Sequence, residues 1–180
     1  SPMDTVCELE MAKKLFLLGG VGCIHRFMSI QEQKQQVIDL RSFINQNYET
    51  WGVMYDDWHA EIHQIPIMAS IGGSDSDKER AKKLVESGAN ILVIDVAHGH
   101  HQNVIDMIKW CKDNLNSTVD IIAGNIATSE AAIELEEAGA DGLRVGVGGG
   151  SLCTTRIKTG FGVPQLSALQ DCRKVDRVII

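Results

Sequence analysis

A repeated unit constrains the fold of this chain more than any other feature. Residues 82–99, KKLVESGANILVIDVAHG, echo residues 132–149, AIELEEAGADGLRVGVGG. Each reads as a helical stretch, a glycine stop, a short apolar strand and a glycine-bearing loop. Glycine just past a helix closes it, because it adopts the left-handed conformation at no steric cost. The run Ile91-Leu92-Val93-Ile94 shows no apolar–polar alternation. A strand of that kind is covered on both faces, as in a parallel sheet flanked by helices. Tandem units of this type predict a repeating β/α architecture, either a (β/α)8 barrel or a doubly wound open sheet. Periodicity alone does not separate the two.

The same pattern runs along the rest of the chain. Residues 1–6 look like the end of a strand, and further strands are predicted at 21–24, 66–71, 91–95, 120–125 and 142–146. Residues 177–180 look like the start of a seventh. Helices are predicted over 8–18, from the capping box Ser29-Ile30-Gln31-Glu32, from a second box Ser76-Asp77-Lys78-Glu79, over 101–113, and from Thr128 to Ala138. The polar and aromatic stretch 46–64 reads as a connection or short insertion. The count favours an incomplete (β/α)8 barrel, about strands 1 to 7, as one domain over 1–180, expected to be truncated at both ends. Strand ends carry Met3, His25, Asp95, Asn125 and the loop 146–153, and in a barrel those ends face the active site.

Composition narrows the partners. A net charge of −7 over 180 residues argues against nucleic acid, whose phosphates need a basic surface. No apolar run approaches the ~20 residues of a membrane span, and no signal-peptide pattern is present. The 44% hydrophobic content suffices for a real core. Five scattered cysteines without a C-x-x-C pair fit free thiols in a reducing compartment, so a cytoplasmic setting is expected.

The stretch GVGGGSLCTTRIKTGFG, 146–162, is the most suggestive. Gly146, Gly148, Gly149 and Gly150 let consecutive amides or carbonyls turn inward, to hold a phosphate or a monovalent cation. Ser151 adds a hydroxyl, and Cys153 follows where amide dipoles favour a thiolate. A glycine-rich connection with an inert thiol is the bland alternative. Asp95 ends an apolar strand and leads to His98, His100 and His101. These share one local loop without a carboxylate at metal spacing, so helix-start or solvent-facing roles are expected. Asn125 suits a ligand contact or an Asx turn. Arg144, within a strand, needs an anion or carbonyl partner if buried. Cys7, Cys23, Cys111 and Cys172 read as small core residues.

The motifs SPMDTV (1–6), GGVGCIHR (19–26), DVAHGH (95–100), AGNIAT (123–128) and GSLCTTRIKTGFGVPQ (150–165) occur in order along the chain. With them the chain resembles the inosine-monophosphate dehydrogenase / guanosine-monophosphate reductase family over nearly its whole length. That resemblance implies a (β/α)8 barrel in which Cys153 attacks C2 of a purine nucleotide to form a thioimidate, with Thr155 assisting proton transfer. It implies substrate contacts at Ser1, Met3, Asn125, Arg144 and Ser151, and cofactor contacts at Asp95, Ala97, His98 and Gly146. Backbone carbonyls of Gly148, Gly150 and Cys153 correspond to a potassium site. NADPH or NAD, a purine nucleoside monophosphate (GMP or IMP) and a homotetramer are the implied partners. The stretch 46–64 is too short for the regulatory CBS insertion of many dehydrogenases. RIKTGFG and HRF look like the reductase branch, GLRVG and GVPQ as much like the dehydrogenase branch, and the balance leans to the reductase. Residues 166–176 are shorter than the family's usual helix there, and the 180 residues alone are expected to be inactive. A non-catalytic nucleotide-binding remnant is the reading from a different class.

Overall fold

A computed structural model describes residues 2–54, 65–151 and 153–180. The elements are α1 (Leu9–Leu17), β1 (Cys23–Ile24), α2 (Ile30–Met54), β2 (Met68–Ile71), α3 (Asp75–Glu86), β3 (Ile91–Asp95), α4 (Gln102–Asn114), β4 (Asp120–Ile126), α5 (Ser129–Glu137), β5 (Gly142–Val145), α6 (Thr155–Thr159), α7 (Gln165–Cys172) and β6 (Val178–Ile179). The strands form one sheet in strictly sequential order, β1-β2-β3-β4-β5-β6, and β1–β2, β4–β5 and β5–β6 pair in parallel. A doubly wound sheet reverses its strand order at a switch point, whereas a barrel does not. The parallel α/β sheet with alternating helices is therefore that of an incomplete (β/α)8 barrel. Its central strands are buried along nearly their full length, as in Leu92, Val93 and Ile94 of β3 and Ile121 to Gly124 of β4.

Contacts group the chain into two compact units, the first comprising residues 1–71 and 79–93, the second 72–78 and 94–180. In the first unit, α1 lies close on β1 because Gly22 has no side chain: a Cβ there would stand 2.7 Å from the Ala12 Cα. Gln33, fully buried on α2, donates to the Ser70 carbonyl at 2.8 Å and accepts from Arg80 Nη1 at 2.6 Å. One carboxamide thus joins α2 to the end of β2 and to α3. Asn90 plays a similar part, accepting the Ile67 N–H at 2.7 Å and donating to the Ile65 carbonyl at 2.9 Å.

In the second unit, α4 and α5 start on side-chain caps. His101 Nδ1 accepts the Asn103 N–H at 3.1 Å, and Thr128 Oγ1 accepts that of Ala131 at 3.3 Å. Gly139 ends the α5 region at φ +105°, with Ala140 N–H bonded back to the Leu135 carbonyl. Gly124 lets β4 approach β5: a Cβ there would meet the Arg144 carbonyl at 2.6 Å.

Several sequence expectations need correction. The first predicted strand is absent over residues 2–6, because the Met3 carbonyl accepts the N–H groups of both Val6 and Cys7 and folds this segment into a turn. Ser1 lies outside the described residues. The second capping box begins two residues earlier than predicted. Ser74, not Ser76, caps α3, its N–H and hydroxyl both bonded to the Asp77 carboxylate directly after the Gly72-Gly73 turn. The supposed connection at 46–64 is helix as far as Met54. Asn47 departs from helical geometry there (φ −119°, ψ 16°), and its side chain bonds to the Phe43 carbonyl at 2.8 Å. Residues 55–64 lie outside the described residues. No helix among the described residues is long and apolar enough to cross a membrane.

Candidate active site

The second unit holds a cavity of about 690 Å³. Its wall includes Ala97, His98, Asn125 and Thr155, four residues that the sequence reading named, together with Thr128 and Phe161. The loops after β3, β4 and β5 supply it, which is where a barrel places its chemistry.

The loop after β3 is fastened to the end of β4. Val96 N–H bonds the Gly124 carbonyl at 3.1 Å, Asn125 N–H the Val96 carbonyl at 2.9 Å, and Gly99 N–H the Asn125 carbonyl at 2.8 Å. A Cβ on Gly99 would stand 2.9 Å from that backbone, so the residue must be glycine for this closure. Asp95, at the end of β3, is ion-paired with Arg144 of β5. The partner that Arg144 required is thus a carboxylate of the same site. Asn125 donates to the Gly146 carbonyl at 3.3 Å, and its Oδ1 is buried without a hydrogen-bond partner among the described residues. A buried orphan acceptor on a cavity wall is suited to an N–H or O–H of a bound molecule.

The glycine loop differs from the inward-turned nest that its composition suggested. Only Gly146 (φ +145°) and Gly148 (φ +72°) among its four glycines take positive φ. Its glycines mainly admit a second backbone. A Cβ on Gly148 would stand 2.8 Å from both the Phe161 carbonyl and the Gly162 Cα. Val163 N–H bonds the Val147 carbonyl at 3.0 Å, and Cys153 N–H bonds the Gly150 carbonyl at 3.0 Å. One of the three carbonyls named for potassium is therefore already engaged within the loop.

Cys153 is the only partly exposed thiol; Cys7, Cys23, Cys111 and Cys172 are buried as expected. Its environment sets it apart chemically. The Thr155 hydroxyl, then the Thr155 backbone, and more weakly backbone groups of Gly148 and Arg156, hold its thiol below the ordinary thiol range. Burial has the opposite effect on Cys111, whose thiol is pushed up to about 12. A thiolate is the nucleophilic form of cysteine, so a lowered thiol favours nucleophilic chemistry at Cys153 over Cys111. Thr155, the largest cause of that lowering, also lines the cavity.

The remaining candidates have more varied settings. Ser151 is exposed, and Met3 is 55% exposed on the turn of the first unit. The three histidines have separate surroundings: His101 caps α4, His100 Nε2 lies 3.1 Å from Glu134, and His98 is exposed on the cavity wall. The only trio of potential metal-ligating groups among the described residues is Asp4, Glu8 and His25, in the first unit. His25 Nδ1 accepts the Phe27 N–H at 3.1 Å, so the ring proton belongs on Nε2, facing Glu8 Oε1 at 3.1 Å. That polarity suits a hydrogen bond and opposes a metal at Nε2.

Sequence reasoning missed Gln165. Its Nε2 donates to the Val145 carbonyl at 2.7 Å, and its Oε1 covers Gly146 so closely that a Cβ there would meet it at 2.6 Å. The Pro-Gln at the end of the glycine-loop motif was the available signal.

The profile described as IMP dehydrogenase / GMP reductase domain matches residues 1–179. An inosine-5'-monophosphate dehydrogenase from Cryptosporidium parvum is 38% identical over 198 aligned residues, covering 97% of this chain and 48% of that protein. A GMP reductase from Leishmania major is 58% identical over 113 residues, covering 62% of this chain and 23% of that protein. An inosine-5'-monophosphate dehydrogenase from Staphylococcus aureus is 49% identical over 124 residues, 67% of this chain and 25% of that protein. The chain thus spans about half or less of the length of these curated relatives. With the profile covering residues 1–179, the chain belongs to the IMP dehydrogenase / GMP reductase family.

Proposed function

We propose that the chain forms part of a purine-nucleotide oxidoreductase that works through a covalent adduct of Cys153 at C2 of the base. What supports this reading is the half-exposed thiol of Cys153, which Thr155, a residue of the cavity wall, holds below the ordinary thiol value. In the preferred, reductive direction the Cys153 thiolate adds to C2 of GMP, and the C2–N bond breaks. The amino group leaves as ammonia after taking up a proton, and Thr155 is placed to relay it. A nicotinamide cofactor, NADPH here, supplies hydride to C2 when bound; IMP departs and the thiolate returns.

Ala97 and His98 would hold the cofactor side of the cavity and Asn125 the substrate, its orphan Oδ1 accepting a hydrogen bond that no described residue supplies. The Asp95–Arg144 pair and Gly146 back that wall. Ser151 would reach the nucleotide phosphate. Potassium would use the Gly148, Gly150 and Cys153 carbonyls, sharing the Gly150 oxygen with the Cys153 N–H. The reductive preference rests on the RIKTGFG segment and on similarity to a GMP reductase over 113 residues. The oxidative alternative, IMP with NAD to XMP, rests on the longer alignment to a dehydrogenase.

A 6-halogenated purine nucleotide tests the reading, because Cys153 would displace the halide and add the purine mass to its own peptide. Labelling confined to Cys153, blocked by IMP and lost in Cys153→Ala, is expected. Labelling of another cysteine, or none, overturns the proposal. Comparing NADPH oxidation with GMP against NAD reduction with IMP in the complete protein then decides the direction.

A further inference from the structure

We infer that Phe161 is a stacking surface for a planar heteroaromatic ring of the molecule that occupies the cavity, and so a binding residue of this site. Its side chain is 74% exposed although its backbone is closely held. Phe161 N–H bonds Thr159 Oγ1 at 3.3 Å, and that hydroxyl donates in turn to the Thr155 carbonyl at 2.7 Å. The Phe161 carbonyl lies against Gly148, where a Cβ would stand 2.8 Å from it. α6 ends in a turn at Gly160, which has φ +75° and bonds its N–H to the Arg156 carbonyl at 3.0 Å. The main chain thus fixes where the ring stands, without burying it.

Two features separate this ring from an ordinary exposed side chain. It lines the cavity, and its neighbours in sequence, Gly160 and Gly162, have no side chains to cover its faces. A Cβ on Gly160 would meet nothing within 4 Å, so the space beside it is open. The rest of the wall fits the same class of molecule. A heteroaromatic ring has apolar faces and a polar edge. Ala97, Ile126 and Val147 offer apolar surface, and the orphan Asn125 Oδ1 offers an acceptor to an N–H on the edge. Among the described lining residues there is no carboxylate, lysine or arginine. Recognition at this wall therefore rests on shape and stacking, which suit the ring system of a nucleotide and not its phosphate. Covering an aromatic face with a second ring gains more than the buried area alone.

The choice of ring, purine or nicotinamide, rests on the function proposed above. The test measures the dissociation constants of IMP and of the nicotinamide cofactor, each alone, in the complete protein. Phe161→Leu keeps an apolar side chain but removes the flat face. It should weaken at least one of the two ligands by about 3–10-fold, the size of an aromatic stacking gain. Phe161→Tyr should bind like the parent. Phe161→Trp should do the same, and the stacked ligand should quench its added emission. Loss for IMP assigns the surface to the purine base. Loss for the cofactor assigns it to nicotinamide if the matching ADP-ribose, which lacks that ring, binds unchanged, and to adenine if it does not. Because the side chain is exposed, Phe161→Leu should unfold in denaturant like the parent. In turnover, KM for the affected ligand should rise with kcat nearly unchanged. Unchanged affinity for both ligands in Phe161→Leu overturns the inference, as does an equal loss in the Leu and Tyr variants. If Cys153 is still labelled by the 6-halogenated nucleotide in that case, the inference falls alone. Weakened binding in Phe161→Leu, with no labelling of Cys153 in the parent, would instead leave the stacking surface standing and remove the proposed function.

Discussion

The loops after β3 and β5 grow from echoing sequences yet end in opposite chemical states. After β3, the chain closes on itself: Gly99 packs against the Gly124–Asn125 backbone, and His101 caps the next helix. After β5, the chain stays open long enough to carry a partly exposed thiol, held below the ordinary thiol value mainly by Thr155. Both loops use glycine for close backbone approach, at Gly99 in one and Gly148 in the other. They diverge in the residues just beyond that glycine. A capping side chain converts the first loop directly into α4, whereas Gly149, Gly150 and Ser151 delay the second before α6. One β/α template thus yields a structural joint and a reactive loop.

The largest expected contrast is in tolerance to a side chain. Gly99→Val would drive carbon atoms into backbone at 2.9 Å and should destabilise the protein by about 2 kcal/mol in denaturant unfolding. Gly150→Ala meets only the Cys153 residue, its Cβ at 3.6 Å in ordinary contact, and should stay within about 0.5 kcal/mol. Equal losses at both positions would erase the distinction between the loops.

A smaller effect sharpens the chemical side. Thr155 contributes most to holding the Cys153 thiol low. Thr155→Val should therefore move the rise of thiol reactivity to higher pH, since less thiolate is present at any pH below the new midpoint. A rate lower by about 3–10-fold at neutral pH is expected in an alkylation profile. A shift to lower pH would contradict the assignment of Thr155 as the donor. The smallest effect belongs to the structural loop: His101→Ala removes the α4 cap and should cost about 1 kcal/mol of stability without altering Cys153 reactivity.

Much of this was legible from local pattern. Ile91–Asp95 and Asp120–Ile126 are apolar without alternation, and both are buried strands. The Ser29–Glu32 box caps α2 reciprocally, at 2.9 and 3.2 Å, as its spacing predicts. The errors share one cause, which is that local signals do not record long-range or competing partners. In SDSDKE two overlapping frames satisfy the same capping rule, and the Gly72-Gly73 turn selects Ser74. The apolar residues of SPMDTV suggested a strand, but the Met3 carbonyl is taken by Val6 and Cys7. Gln165 carried no periodic signal of its own, because its partners lie far upstream at Val145 and Gly146.

By itself, the order of residues determined the alternation of strand and helix, the burial of four of the five cysteines, and the family through its ordered motifs. Those properties depend on composition and spacing within a few turns of chain. Tertiary structure decided that the strands run sequentially as in a barrel and that Arg144 is paired with Asp95. Strand order and ion pairing arise only when segments distant along the chain bring their backbones and charges to one place.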